Sequence, residues 1–447
     1  MSLDAIFKAY DIRGIYPDEL DEALARRIGN AFAAFTGASQ IIVGHDMRTS
    51  SPPLVAAFTE GVTLAGTDIV DIGLCSTDLV YFASGRFDAP AAMFTASHNP
   101  AAYNGIKLCR AGAAPVGEQT GLVQIKEMVV AGVTQRGEVP GKVEQLDLLD
   151  EFAEHVRSFV DRRALQPLKV VADTANGMGG LVVPKVFEGL PCSLTVLFGE
   201  LDGGFPNHPA DPIQVENLKD LQRAVVDGGA DVGLAFDGDA DRVFLVDDLG
   251  QPVSGSTTTA MVAKFMLEKH PGETIVHNLI CSKALPEIVR ELGGTPVRTR
   301  VGHSFIKQVM AETGAIFGGE HSAHYYFRHN WRADSGSIAA LCVLELLSRA
   351  DTPLSAFRKP FERYAQSGEI NTRVGDPLAV IEKVATAYQH CTRDRLDGLT
   401  VECGDWWFNL RPSNTEPLLR LNLEADTVEE CEAHTAEVLA LIRAEQE

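Results

Sequence analysis

The chain has 447 residues, 45% apolar and 22% charged, a globular balance that excludes disorder as its main state. At roughly 150 residues per domain it holds three domains or four smaller ones. Acidic residues outnumber Lys and Arg by 61 to 39, a net charge of −22; this argues against sequence-independent binding of nucleic acid or anionic membrane, yet leaves room for a local basic pocket for a phosphorylated metabolite.

The opening MSLDAIFKAYDIRG has neither the basic start nor the apolar run of a signal peptide. No stretch approaches the roughly 18–20 apolar residues that cross a bilayer. Cys75, Cys109, Cys192, Cys281, Cys342, Cys391, Cys403 and Cys431 form no C-x-x-C pair and no zinc-finger spacing. Scattered thiols fit a reducing compartment, so the expected location is the cytoplasm, with no membrane partner.

Three stretches then follow one plan. The first runs from Ile41 to Val43, through a helical PPLVAAFTEGVTLAG, to strand-like runs at Asp68–Ile72 and Ala91–Phe94, and opens into TASHNP. The second has runs at 168–173, 193–198 and 230–236 and opens into DGDADR. The third has runs at 274–278, 294–300 and 314–319 and opens into EHSAH. Apolar runs alternating with helical patterns predict β-α-β units and a largely parallel sheet. Ligands of such sheets sit beyond the carboxyl ends of the strands, where each stretch has its most polar loop.

The last part differs. TVECGDWWFNL (400–410) predicts a strand, RPSNTEP (411–417) a loop, LLRLNLEA (418–425) a second strand, and Thr427 to about Glu445 a helix. The fold class is therefore α/β: three related α/β domains over 1–145, 146–250 and 251–365, whose polar loops are expected to face one shared central cleft, and a smaller α+β domain over 366–447.

The polar loops carry the chemistry. Asp237, Asp239 and Asp241 alternate with small residues; in an extended loop their carboxylates point the same way. Unpaired they repel and some hold protons; a divalent cation resolves this, Mg²⁺ or Ca²⁺ rather than zinc for hard oxygen donors. The EF-hand pattern is absent. Arg242 follows and suits a phosphate. Ser97 lies among small residues beside His98, Asn99 and Pro100, which by themselves are also good turn chemistry; its hydroxyl can carry a phosphoryl group. It is not in a G-x-S-x-G elbow, which leaves a hydrolase triad unsupported. Glu320, Ser322 and His324 also alternate and can hydrogen-bond a polyol. Arg411, Ser413, Asn414 and Thr415 form a donor set for a phosphate dianion. Asn176 to Gly180 is a strand-to-helix turn, not a dinucleotide motif.

Taken together and in order, KAYDIRG, TASHNP, DGDADR, GEHSAH and RPSNTEP resemble the α-D-phosphohexomutase superfamily, in its bacterial phosphomannomutase/phosphoglucomutase branch, over essentially the whole chain. The resemblance implies that Ser97 is the phosphorylated serine and that Asp237, Asp239 and Asp241 hold Mg²⁺, with a phosphoryl oxygen on Ser97 completing the shell. It implies that Glu320, Ser322 and His324 contact sugar hydroxyls. Arg411, Ser413, Asn414 and Thr415 hold the phosphate that does not react. Tyr10, Arg13, Lys107, Arg242 and His303 match further cleft positions, and Lys107, His303 and His98 are candidates to take the proton of the attacking hydroxyl. The implied activity is a phosphomannomutase that also acts on glucose phosphates through a bound hexose 1,6-bisphosphate, in a monomer or homodimer. Phosphoglucomutase as the main activity is the alternative, ahead of a phosphoglucosamine mutase or a sugar phosphatase. Departures are small: GEHSAH stands where many phosphomannomutases have GEMSGH, and Ile280 where some relatives carry a lysine. Phosphoglucosamine mutases usually have Gln in place of His321 and Gly in place of Asn414.

Overall fold

The computed structural model describes residues 3–132, 134–412 and 418–443. Each of the first three sheets repeats one arrangement. In the first, the parallel strands Gln40–His45, Asp68–Leu74 and Ala91–Phe94 are followed by Tyr103–Arg110, which returns antiparallel to the last of them. In the second, Lys169–Asp173, Ser193–Leu197 and Val232–Phe236 are parallel, and Val243–Asp247 returns beside Val232–Phe236. In the third, Thr274–Asn278, Thr295–Thr299 and Phe317–Gly319 are parallel, and Tyr325–Phe327 returns. The three polar loops are the links between the third parallel strand and its return. The central strands are buried on both faces and read as continuous apolar runs, as covered parallel strands should.

Local chemistry sets the helices. Asp21 caps the helix Glu22–Thr36 by accepting from Leu24 N, and Gly37, with φ of 59°, ends it. Ser76 and Ser335 cap the helices Thr77–Phe87 and Gly336–Ala350, and the Ser335 hydroxyl also donates to Asp78 at 2.7 Å, tying the third unit to the first. One continuous core, including Phe152, Met178, Phe236, Phe265, Phe317 and Ile338, joins these units. No helix among the described residues is long and apolar enough to cross a membrane.

The last unit keeps its own core beneath an antiparallel sheet. The strand expected over 400–410 is two strands, Leu399–Glu402 and Trp406–Pro412, paired antiparallel through a turn at Gly404, whose φ is 88°. Apolar character on both sides masked the turn. The cysteines are not all separate thiols: Cys391 and Cys403 are joined, because the hairpin that brings Thr392 opposite Glu402 also brings them together. The other six are free.

Candidate functional site

The three loops share a backbone device. Ser97, Ala240 and Ala323 lie three or four residues beyond their strands with φ of 51°, 58° and 63°. A left-handed conformation costs an L-residue roughly 1–2 kcal/mol, so the surrounding structure must impose it. For Ser97 the means are visible. Thr95 Oγ1 accepts from Ser97 N at 2.8 Å. Gly238 abuts Ser97 O so closely that a Cβ would lie 2.4 Å from it. Arg48, 1% exposed, spends its guanidinium on this loop. It donates to the carbonyls of Ser97 (2.9 Å), Asn99 (2.6 Å), Pro100 (2.9 Å) and Tyr103 (3.0 Å), and its Nε to Asp46 at 3.1 Å. Sequence reasoning passed over Arg48; an arginine five residues beyond an apolar strand reads as surface charge.

The DGDADR loop is a turn, not the extended segment expected, because Ala240 is left-handed. The aspartates converge all the same: all three are buried, and one oxygen from each lies within 4.8 Å of the others. Ser97 Oγ donates to Asp237 Oδ2 at 2.8 Å, which also accepts Arg242 Nε at 2.9 Å. Lys107 Nζ donates to Asp239 Oδ2 at 2.6 Å and Asp241 Oδ2 at 2.7 Å, and Thr77 Oγ1 donates to Asp239 Oδ2 at 2.5 Å. Asp239 Oδ1 and Asp241 Oδ1 are buried with no hydrogen-bond partner. Burial raises the Asp237 carboxyl well above the usual range against the pull of Arg242, and burial with the Asp239 charge raises Asp241. Burial also pushes Asp239 upward, but the Lys107 ammonium outweighs it and holds that group low. Like charges this close do not all ionise unaided. An all-oxygen donor set with two unused buried oxygens fits a hard divalent cation such as Mg²⁺.

Arg242 also reaches Ser97 Oγ at 3.2 Å and His98 Nδ1 at 2.6 Å. His98 Nδ1 therefore accepts, and burial with Arg242 and Arg13 holds the ring well below its ordinary value, neutral. Arg13 donates to Asn99 and Asp11, each at 2.5 Å. Tyr10 packs edge-on against His303, ring centres 4.9 Å apart, and its hydroxyl donates to Val301 O at 3.4 Å. Burial, then the nearby Lys307 charge, pushes His303 down to about 3. Lys307, four residues on in the same motif, is a second residue missed: it is 3% exposed, paired with Asp334 at 3.0 Å and 4.1 Å from the Tyr81 ring centre.

The EHSAH loop does not present its polar groups in one row. Glu320 is 2% exposed and turned inward, accepting from Tyr326 Oη at 2.5 Å, Asn278 Nδ2 at 3.1 Å and Gly302 N at 3.2 Å. Ser322 Oγ and His324 Nδ1 pair at 3.0 Å, and His321 Nδ1 meets Ser256 Oγ at 3.0 Å. Arg411 is the penultimate residue of the strand Trp406–Pro412 and is held by Glu369 at 3.0 Å; Ser413, Asn414 and Thr415 lie outside the described residues. A cleft of about 1440 Å³, lined by residues of all four units, runs past Tyr10, Lys307, Ser322 and Arg411. Eight Lys and Arg against four Asp and Glu line it, the reverse of the chain as a whole. Such a cleft attracts an anionic ligand.

Models of the phosphoglucomutase/phosphomannomutase family match in chain order: alpha/beta/alpha domain I at residues 4–132, domain II at 150–250, domain III at 254–364 and the C-terminal domain at 369–441. The chain is 42% identical to phosphohexose mutases of Xanthomonas campestris over 99% of its length and all of theirs. It is 40% identical to a phosphomannomutase of Escherichia coli, over 98% of each chain. A crystal structure of a phosphoglucomutase/phosphomannomutase family protein from Burkholderia thailandensis superposes with a TM-score of 0.90 at 33% identity, covering 99% of this chain and 98% of that one.

Proposed function

The chain belongs to the phosphoglucomutase/phosphomannomutase family, and from that premise we propose that it interconverts mannose 1-phosphate and mannose 6-phosphate and acts on glucose phosphates as well. The observation that carries this reading is the Ser97 hydroxyl, set 2.8 Å from Asp237 and 3.2 Å from Arg242 where the first two units meet. A hydroxyl so placed suits a phosphoryl carrier.

In this reading the phosphorylated Ser97 transfers its group to the free hydroxyl of a hexose monophosphate. The O–P bond to Ser97 breaks and one to the sugar forms, giving a hexose 1,6-bisphosphate. The bisphosphate reorients in the cleft and returns its other phosphate to Ser97. Mg²⁺, held by Asp237, Asp239 and Asp241, would stabilise charge on the transferring phosphoryl. Arg242 bears on the same oxygens. Arg411 grips the phosphate that does not react; Ser413, Asn414 and Thr415, which lie outside the described residues, complete the donor set in this reading. Ser322 and His324 meet sugar hydroxyls, and Glu320 braces their loop.

The proton of the attacking hydroxyl goes to His303. Lys107 is held protonated by two carboxylates, and His98 already accepts from Arg242 at the nitrogen nearer Ser97. The His303 ring is neutral. A phosphate dianion nearby raises its affinity for a proton.

The test is a coupled assay with Mg²⁺ and a trace of hexose 1,6-bisphosphate, comparing mannose 1-phosphate with glucose 1-phosphate. A mannose preference of about tenfold or more in kcat/KM, or comparable values, supports the two forms of this reading. Release of inorganic phosphate in place of isomer would overturn it in favour of a phosphatase.

A further inference from the structure

The strands Thr392–Asp394 and Leu399–Glu402 form an antiparallel hairpin with Thr392 opposite Glu402. One step beyond, Cys391 faces Cys403, their Cα atoms 5.0 Å apart and their sulfurs joined. The register holds these two side chains together whether or not they are bonded to each other. His390 precedes the pair, and a nitrogen of its ring lies with both sulfurs inside a span of 4.8 Å. The cluster is reachable: His390 is exposed and both cysteines are half-buried, whereas five of the six free cysteines are buried. It borders a groove of about 690 Å³ walled by Tyr388, Trp406, His434 and Glu437. His434 stacks on Trp406 with ring centres 3.9 Å apart, which fixes the far wall. The cluster sits at the start of the strand Trp406–Pro412 and Arg411 near its end, roughly 17 Å along at 3.4 Å per residue. The phosphoryl-transfer machinery makes no use of it.

The geometry points to a redox-gated site for a thiophilic divalent cation, zinc first among them, formed by His390, Cys391 and Cys403. In the bonded state the sulfurs have no thiolate to offer. A dithiol reductant delivers two electrons and two protons to the bond, yielding two cysteine thiols while it becomes a disulfide itself. Zinc then displaces the two thiol protons and takes two sulfurs and one imidazole nitrogen, with water from the groove as the fourth ligand. Tetrahedral zinc with Zn–S of about 2.3 Å sets its sulfurs roughly 3.8 Å apart, inside the span of the cluster, so side-chain rotation suffices and the hairpin need not open. The end of the hairpin is thus clipped in either environment, by a covalent bond when oxidised and by a metal when reduced.

The test uses the full chain, either oxidised or reduced with a phosphine that is then removed without air. Each sample is titrated with Zn²⁺ against a chromophoric chelator, and with Co²⁺ while recording thiolate-to-metal absorption. The reduced sample should take up about one more Zn²⁺ per chain than the oxidised one and show the cobalt–thiolate band. Both signals should vanish in Cys391→Ser/Cys403→Ser, and His390→Ala should weaken binding by about tenfold or more. The double variant should keep its sugar phosphate turnover. Equal zinc uptake in the two redox states, or a redox-dependent increment that survives in the double variant, would overturn the site.

Discussion

The loops 237–242 and 320–324 share a backbone and differ in what they leave open. Each follows the third parallel strand of its sheet, turns through a left-handed alanine and returns antiparallel. In the first, three carboxylates converge and two of their oxygens find no partner. In the second, Glu320, Ser322, His324 and His321 all find partners within the protein. The repeat supplies the turn, and the side chains decide between a site that demands an external positive charge and one that can exchange neutral hydroxyls. A reaction that must reverse its substrate needs one of each.

Substitutions break this contrast in graded steps. Ser97→Ala removes the phosphoryl acceptor next to the carboxylates; turnover should fall by at least about 10³-fold with the circular dichroism spectrum unchanged. Appreciable mutase activity in that variant would exclude the carrier role. Asp239→Asn should lower kcat by about 100-fold or more and abolish its response to Mg²⁺, while Glu320→Gln, whose amide oxygen still accepts from Tyr326, should cost less than about tenfold. Equal losses in a Mg²⁺ titration of the two variants would erase the distinction between the loops. Arg48→Lys cannot serve four carbonyls with one ammonium. It should lower kcat by roughly 10–100-fold at nearly constant KM, with less phosphate found on Ser97 by intact mass. Arg411→Ala should raise KM by about tenfold and leave kcat closer to wild type; an unaltered KM would count against a phosphate contact there.

The smallest effect concerns pH. His277 is buried and held neutral at about 4, below its ordinary 6.5, by burial first. A depressed histidine contributes stability above its unfolded value that is lost as pH falls toward the folded one. The thermal midpoint should therefore drop from about pH 6.5 toward 4, and His277→Gln should recover roughly 2–4 °C of that drop. A parallel profile for the variant would assign the acid loss to other groups.

The succession of strands along each unit and the position of each polar loop could be read from the sequence, because apolar period and Asp, Gly and Asn content are local. The α/β fold class follows from the same pattern. What stayed hidden is non-local or conformational. Lys107 reaches Asp239 and Asp241 from 132 and 134 residues away, so its partners carry no spacing signal. Arg48 is engulfed by the loop it braces and resembles a surface charge until that loop is in place. The convergence of the aspartates was anticipated from an extended loop, whereas a left-handed alanine produces it. Glu320 looked like one of three equivalent contacts, but a tyrosine six residues on draws it inward. The hairpin turn at Gly404 lay inside a run of strand formers, and with it the pairing of Cys391 and Cys403.

The most direct test of the account is peptide mapping by mass spectrometry of the full chain, before and after incubation with hexose 1,6-bisphosphate and Mg²⁺. The account predicts one phosphoryl group, on Ser97 alone, that is lost when hexose monophosphate is added in excess and reappears as bisphosphate in solution. An unmodified Ser97 in protein that is turning over, or a phosphoryl group on another residue that chases into the sugar, would contradict it.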